Sequence, residues 1–243
     1  MAVKIGSARI DENKHAKGGK AGDQTGIEVS TQNWYKHSKG WRVFRAKNPA
    51  LADLIADDME YACLNPNIGY DQNQRDTLYK IAKKCGFNCK KVNTKCETDC
   101  SELVRVCCAY AGIMLPNFRT SNESSVLLNS GYFLEMKGKQ FTDYSDYLLR
   151  GDILVTKTQG HTVIVLDNGS KVGTVEQGKI LVTSRSVNIR SEPKTGTNNV
   201  IGVAYKGDEF PFVGIASNNS WYKTLYKDKT AYITRKYTEF IPE

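Results

Sequence analysis

The sequence predicts an α+β domain followed by a small all-β barrel. Three observations lead there. Apolar residues recur at helical spacing in three stretches between residues 49 and 111, β-branched runs of period two begin after Gly151, and short strands separated by turn signals fill the chain beyond about residue 178. At 243 residues the chain exceeds a typical single domain, so two cores are expected, one in residues 1–172 and one in residues 180–243.

Residues 7–48 are rich in glycine and polar side chains, with extended pieces at Ile27-Glu28-Val29 and Trp41-Arg42-Val43-Phe44, and read as strand and loop. A first helix follows, capped by Asn48 with Pro49 at its first position, with Leu51, Leu54 and Ile55 on one face. A second is expected from Asp71 to Cys85, ended by Gly86. The third opens with Asp99-Cys100-Ser101-Glu102, an N-cap acid with a glutamate three residues on, the pattern in which each side chain satisfies a free amide of the first turn. Leu103, Val104, Cys107, Cys108 and Ala111 continue its apolar stripe, and Gly112 with Pro116 ends it. Strands are then expected at Asp152-Ile153-Leu154-Val155 and at His161–Leu166, with Asn168-Gly169 as a two-residue hairpin turn and residues 170–178 as a polar joint.

With 34 Lys and Arg against 26 Asp and Glu, the net charge of +8 draws the molecule to polyanions. The basic residues are interleaved with acids, and no nucleic-acid-binding motif is present, so no nucleic-acid partner is assigned. No apolar run is long enough to span a membrane. The segment Met1–Gly6 lacks the apolar core and cleavage site of a secretory signal, so the protein is expected in the cytoplasm until another factor releases it.

All seven cysteines, Cys63, Cys85, Cys89, Cys96, Cys100, Cys107 and Cys108, lie in the first half, an odd set that fits a reducing compartment better than a disulfide framework. The run C-x3-C-x6-C-x3-C from Cys85 to Cys100 has a structural zinc site as its rival reading, in a non-catalytic binding protein. The usual spacing is C-x2-C and histidine partners are absent, so no metal and no cofactor is assigned.

A thiol in the first turn of a helix is favoured as thiolate by the unpaired amides and the macrodipole, which makes Cys100 the candidate nucleophile. Its base must come from elsewhere in the fold. His15 and His37 lie in polar, loop-like sequence where exposure is expected, whereas His161 begins a strand directly after Gly160. Asp99-Cys100-Ser101, then Gly151-Asp152-Ile153-Leu154, then Gly160-His161-Thr162-Val163-Ile164-Val165 resemble the NlpC/P60 superfamily of papain-like cell-wall peptidases in order and spacing.

The resemblance implies a papain-like catalytic domain in which the Cys100 thiolate attacks a peptide or amide carbonyl and His161 carries the proton to the leaving amine. Tyr70, in Ile68-Gly69-Tyr70-Asp71, matches the family's tyrosine segment and is implied in holding the oxyanion or substrate. So is the first-turn amide at Ser101; such a donor is worth about 3 kcal/mol of barrier. The family's polar third residue falls here on Gly173. Asp167 lies about 20 Å along the histidine's own strand at 3.3 Å per residue and should not reach, while a hairpin at Asn168-Gly169 would put Glu176 opposite His161.

The stretch Gly19–Val29 resembles a group of phage lysins, in which an N-terminal strand beside the histidine strand would let Glu28 or Asp23 orient the imidazole; Glu28 is the first choice. Ser186-Val187-Asn188-Ile189-Arg190-Ser191-Glu192-Pro193 resembles the signature of bacterial SH3-like domains, with Val187, Ile189, Phe210, Phe212 and Ile233 expected in the barrel core. Tyr205, Trp221, Tyr222 and Tyr237 are the expected wall-binding aromatics. Together these imply an endolysin acting on the peptidoglycan of a Gram-positive-type wall, released from the host cytoplasm through a holin. It would be either a stem-peptide endopeptidase or an N-acetylmuramoyl-L-alanine amidase.

Overall fold

The structure, a computed structural model, describes residues 2–11, 13–18, 26–171, 178–216, 220–227 and 229–242. It divides into two compact units, Met1–Val172 and Gly173–Glu243. Among the described residues no helix is long and apolar enough to cross a membrane.

The first unit mixes helix and sheet. In chain order its elements are β1 (Lys4–Ala8), β2 (Val29–Asn33), β3 (Trp41–Ala46), α1 (Pro49–Leu64), β4 (Ile68–Tyr70), α2 (Thr77–Ala82), β5 (Cys96–Thr98), α3 (Cys100–Tyr110), α4 (Glu123–Asn129), β6 (Phe133–Met136), α5 (Lys139–Thr142), β7 (Ile153–Thr156) and β8 (Thr162–Val165). Six strands form one antiparallel sheet in the order β2-β1-β8-β7-β3-β6, and β4 and β5 form a separate parallel pair. Alternate residues of the sheet feed two cores. Phe44, Ile153, Val155 and Ile164 join Ile55, Met59 and Leu103 of α1 and α3 on one face. Ile5, Trp41, Leu154, Val163 and Val165 pack with Leu148 on the other. Coverage of both faces is why β7 and β8 read as continuous apolar runs and not as clean alternation.

The first helix begins as expected, Asn48 accepting the Ala50 N–H at 3.0 Å. The second begins six residues later than Asp71. The Asp71 carboxylate is taken by the amides of Gly18 and Asn73, so the chain turns there, and the helix starts only at Thr77 before a 3-10 turn over Lys83–Cys85. Gly151, at φ 84°, brings the chain onto α1, where a Cβ would stand 2.2 Å from the Ala52 carbonyl oxygen. Asp152 is buried and accepts both Arg45 Nε (2.8 Å) and Nη2 (2.7 Å), an ion pair that anchors the start of β7.

The expected Asn168-Gly169 hairpin is corrected. Both edges of β8 are occupied, by β1 and by β7, which leaves no edge for a returning strand. Gly169 instead packs so closely on the chain at Ser145 and Asp146 that a Cβ would lie 2.3 Å from either carbonyl oxygen.

The second unit is all-β: β9 (Gly178–Val182), β10 (Ser186–Arg190), β11 (Val200–Tyr205), β12 (Glu209–Ile215), β13 (Trp221–Tyr226), β14 (Lys229–Thr234) and β15 (Thr238–Pro242), in the order β11-β10-β14-β13-β12-β9-β15. Its core holds Val182, Val187, Ile189, Ala204, Ala231 and Ile233, with Phe210 packed against it. Phe212, expected in that core, is only half-buried and stacks with Tyr222 and Phe240.

Candidate active site

The site is built around the start of α3. Asp99, extended at φ −108° and ψ 177°, caps the helix through Oδ1, which accepts the Glu102 N–H at 2.7 Å and the Ser101 hydroxyl at 2.9 Å. The expected reciprocal bond from Glu102 gives way to two cations: Glu102 accepts Arg105 at 2.7 Å and faces Arg75 at 3.1 Å. Arg75 was not signalled by the sequence. Nearly fully buried, it donates to Asp99 (2.5 Å), to Ser101 Oγ (2.9 Å) and to the Phe118 carbonyl (2.7 Å), and so fixes the first turn. The Ser101 side chain is thereby committed to structure.

Cys100 is the first residue of α3 and 7% exposed. Burial pushes its thiol up, and the negative charges of Asp99 and Glu123 add to this; the N–H groups of Thr162 and Ser101, donating to sulfur, act in the other direction. Helix-start amides therefore do not leave a free thiolate here: desolvation outweighs them. Thr162, the residue after His161, donates its hydroxyl to the buried Glu123 at 2.8 Å. Tyr70 and Tyr35 stand close enough to Cys100 that a thiolate there raises both phenols, burial being the larger cause in each. Tyr70 is buried, with its hydroxyl accepting Gln72 Nε2 at 3.0 Å.

His161 is held at the β7–β8 turn by its own backbone, its N–H donating to Thr156 Oγ1 at 2.9 Å and its carbonyl accepting the Thr156 N–H at 3.0 Å. Its imidazole borders a cleft of about 440 Å³ lined by Arg9, Ile10, Gln32, Tyr35 and His37. Burial, with the charges of His37 and Arg9, lowers it from 6.5 to about 4, so it is neutral at pH 7. His37, placed by sequence in an exposed loop, thus lies in the histidine cleft; its Nδ1 accepts the Lys39 N–H at 3.0 Å.

An N-terminal strand does lie beside β8, but it is β1, with β2 one strand further out. Glu28, directly before that outer strand, is fully buried and its Oε2 accepts the Tyr70 N–H at 3.0 Å. It does not line the cleft and is not among the charges acting on His161. Asp23 and Glu176, the other two choices, lie outside the described residues.

All seven cysteines are free thiols. Among the described residues no three His, Cys, Asp or Glu side chains converge as a metal-binding group. Members of the C-x3-C-x6-C-x3-C run have separate partners: Cys85 Sγ lies 3.3 Å from the Ala82 carbonyl and Cys96 Sγ 3.6 Å from that of Asn67.

In the second unit Trp221 and Tyr237 line one cleft of about 380 Å³ with Asn188, Arg190 and Lys236, the Arg190 guanidinium lying over the indole at 5.8 Å. Tyr222 is buried against Phe212 beneath Arg235, and Tyr205 is 61% exposed outside that cleft.

Known proteins supply a family and nothing finer. The family model of an endolysin-like domain matches residues 5–172, and that of a bacterial SH3 domain matches residues 185–239. No curated protein and no solved structure matches the chain. A unit of mixed helix and sheet followed by an all-β unit agrees with both matches. The chain belongs to the endolysin-like domain family and carries a bacterial SH3 domain behind it, the make-up of a cell-wall-targeted peptidoglycan hydrolase.

Proposed function

We propose that the protein cleaves a peptide or amide bond of bacterial peptidoglycan by thiol chemistry on a papain-like scaffold of the NlpC/P60 type. In this reading the second unit holds it on a Gram-positive-type wall through the Trp221–Tyr237 cleft. One observation carries the catalytic part: Cys100 opens α3, α3 packs on β8, and His161 directly precedes β8.

Both the raised thiol and the lowered imidazole favour an uncharged pair at rest. The proton of Sγ therefore moves to His161 as the S–C bond to the carbonyl forms, and the first-turn amide at Ser101 faces the developing oxyanion. His161 returns that proton to the amine as the C–N bond breaks, leaving a thioester. Water, deprotonated by the same imidazole, then attacks the thioester, and the carboxylic acid and free thiol are released. Gln32 is the orienting group we assign in place of Glu28, because its carbonyl oxygen can accept an imidazole N–H. His37 is less suited, since the Lys39 amide already occupies its Nδ1 and leaves it an N–H donor.

Cys100→Ser tests the reading. The parent chain should clear a turbid suspension of Gram-positive sacculi and the variant should not; equal clearing by both would instead favour a non-catalytic wall-binding protein. Mass spectrometry of the fragments then separates the two bonds, since an amidase exposes new L-alanine amino-termini and leaves glycan free of stem peptide.

A further inference from the structure

The geometry points to a carboxylate-binding subsite beside the histidine, in which Arg9 receives an acidic group of the substrate peptide. This rests on the hydrolase reading and names a feature of the peptide it would take.

The cleft bordering His161 is large enough for part of a peptide and is lined by Arg9, Ile10, Gln32, Tyr35 and His37. Of the side chains that line it, Arg9 carries the fixed charge. His37 and His161 are both shifted towards the neutral form, and Tyr35 is shifted away from ionisation. Arg9 follows directly on β1, where its backbone amide donates to the Glu28 carbonyl and anchors its position. Its guanidinium donates to Ser30 Oγ at 3.3 Å, a neutral partner. Among the described residues no carboxylate pairs with it, whereas the arginines at positions 42, 45, 75, 105 and 150 all have acid partners.

An exposed arginine with no carboxylate partner among the described residues, at the rim of a cleft with the Gln32 amide and the Tyr35 hydroxyl as neutral donors, presents a fork suited to a carboxylate. Its charge reaches the imidazole and Tyr35, so an anion bound there lies within the electrostatic field of the catalytic histidine. In a stem peptide two carboxylates can fill this role, the α-carboxylate of a γ-linked D-glutamyl residue and the carboxyl terminus.

The test uses the full chain carrying Cys100→Ala, so that nothing turns over, and the peptide L-alanyl-γ-D-glutamyl-L-lysyl-D-alanine in three forms: both carboxylates free, the glutamyl α-carboxamide, and the C-terminal carboxamide. Calorimetric titration should show one carboxamide binding about tenfold more weakly than the diacid. The form that loses affinity identifies the carboxylate. Arg9→Gln should abolish the difference and Arg9→Lys should keep part of it, each with an unchanged thermal transition.

Equal affinity for the three forms, no binding of any form, or a difference that survives in Arg9→Gln overturns the subsite. The hydrolase reading is judged separately on the chain with Cys100 intact. Failure to release fragments from sacculi while the tenfold difference persists removes that reading and leaves the subsite standing; release of fragments with no discrimination does the reverse.

Discussion

Replacing His161 by glutamine should flatten the acid limb of the first unit's stability curve. The imidazole is lowered from 6.5 to about 4 by burial and by the charges of His37 and Arg9, so the folded chain resists a proton that the unfolded chain accepts. The sign follows: below 6.5 the unfolded state gains protons first, and the stability that His161 contributes as a neutral group is lost as pH falls from 6.5 towards 4. A shift of this size corresponds to about 3 kcal/mol between pH 7.5 and pH 4, at 1.36 kcal/mol per pH unit. Glutamine keeps the polarity and does not titrate. Denaturant unfolding of parent and His161→Gln at the two pH values isolates the difference, because every other titrating group is common to both. The parent should lose about 3 kcal/mol more than the variant on acidification. Parallel losses would show that the imidazole is not held neutral in the fold, and the account of an uncharged resting pair would go with it.

Other outcomes follow from the same reasoning. Burial raises Asp58 from 3.8 to about 7, opposed in part by the Cys89 N–H. The stability tied to its protonated form is complete below 3.8 and lost as pH rises through 7, so Asp58→Asn should stabilise by up to about 4 kcal/mol at pH 8 and by nothing at pH 3.5, as measured by urea titration. Gly151→Ala forces a Cβ to within 2.2 Å of the Ala52 carbonyl at a φ of 84° and should cost more than about 2 kcal/mol by the same titration. Alkylation of Cys100 by iodoacetamide, followed by mass spectrometry of its peptide, should be slow at pH 7 and still rising at pH 9; a rate level from pH 5 to pH 8 would reveal a resting thiolate.

What was legible in the sequence was local. The cap at Asp99, Cys100 at the helix mouth and the strand after His161 each announce themselves within a few residues, because capping and period-two burial are short-range effects. Hidden were contributions that depend on which strands become neighbours. Arg75 sits in an unremarkable polar segment, and nothing near it signals that it will bind Asp99 from 24 positions away. His37 and Gln32 reach the histidine cleft only because β1 and β2 add to the sheet beyond β8. The Glu28 assignment had the right principle, an N-terminal strand beside the histidine strand. The strand beside β8 is Lys4–Ala8, with only five residues, and the strand that follows Glu28 lies one place further out. The Asn168-Gly169 hairpin failed for the same cause: the turn signal was real as chemistry but the edge it needed was already filled.

That edge pairing, Ile5 with Val165 and Gly6 with Ile164, joins chain segments about as far apart as this unit permits. Closing so long a loop is entropically expensive, and contacts of such sequence separation form late and slowly. A ribosome must therefore synthesise nearly the whole first unit before β8 can pack on α3 or the cleft can bring Arg9 and His161 together. Every nascent or prematurely terminated chain shorter than that carries Cys100 without the strand that packs on its helix, so the candidate site comes into being only when translation of the unit is essentially done.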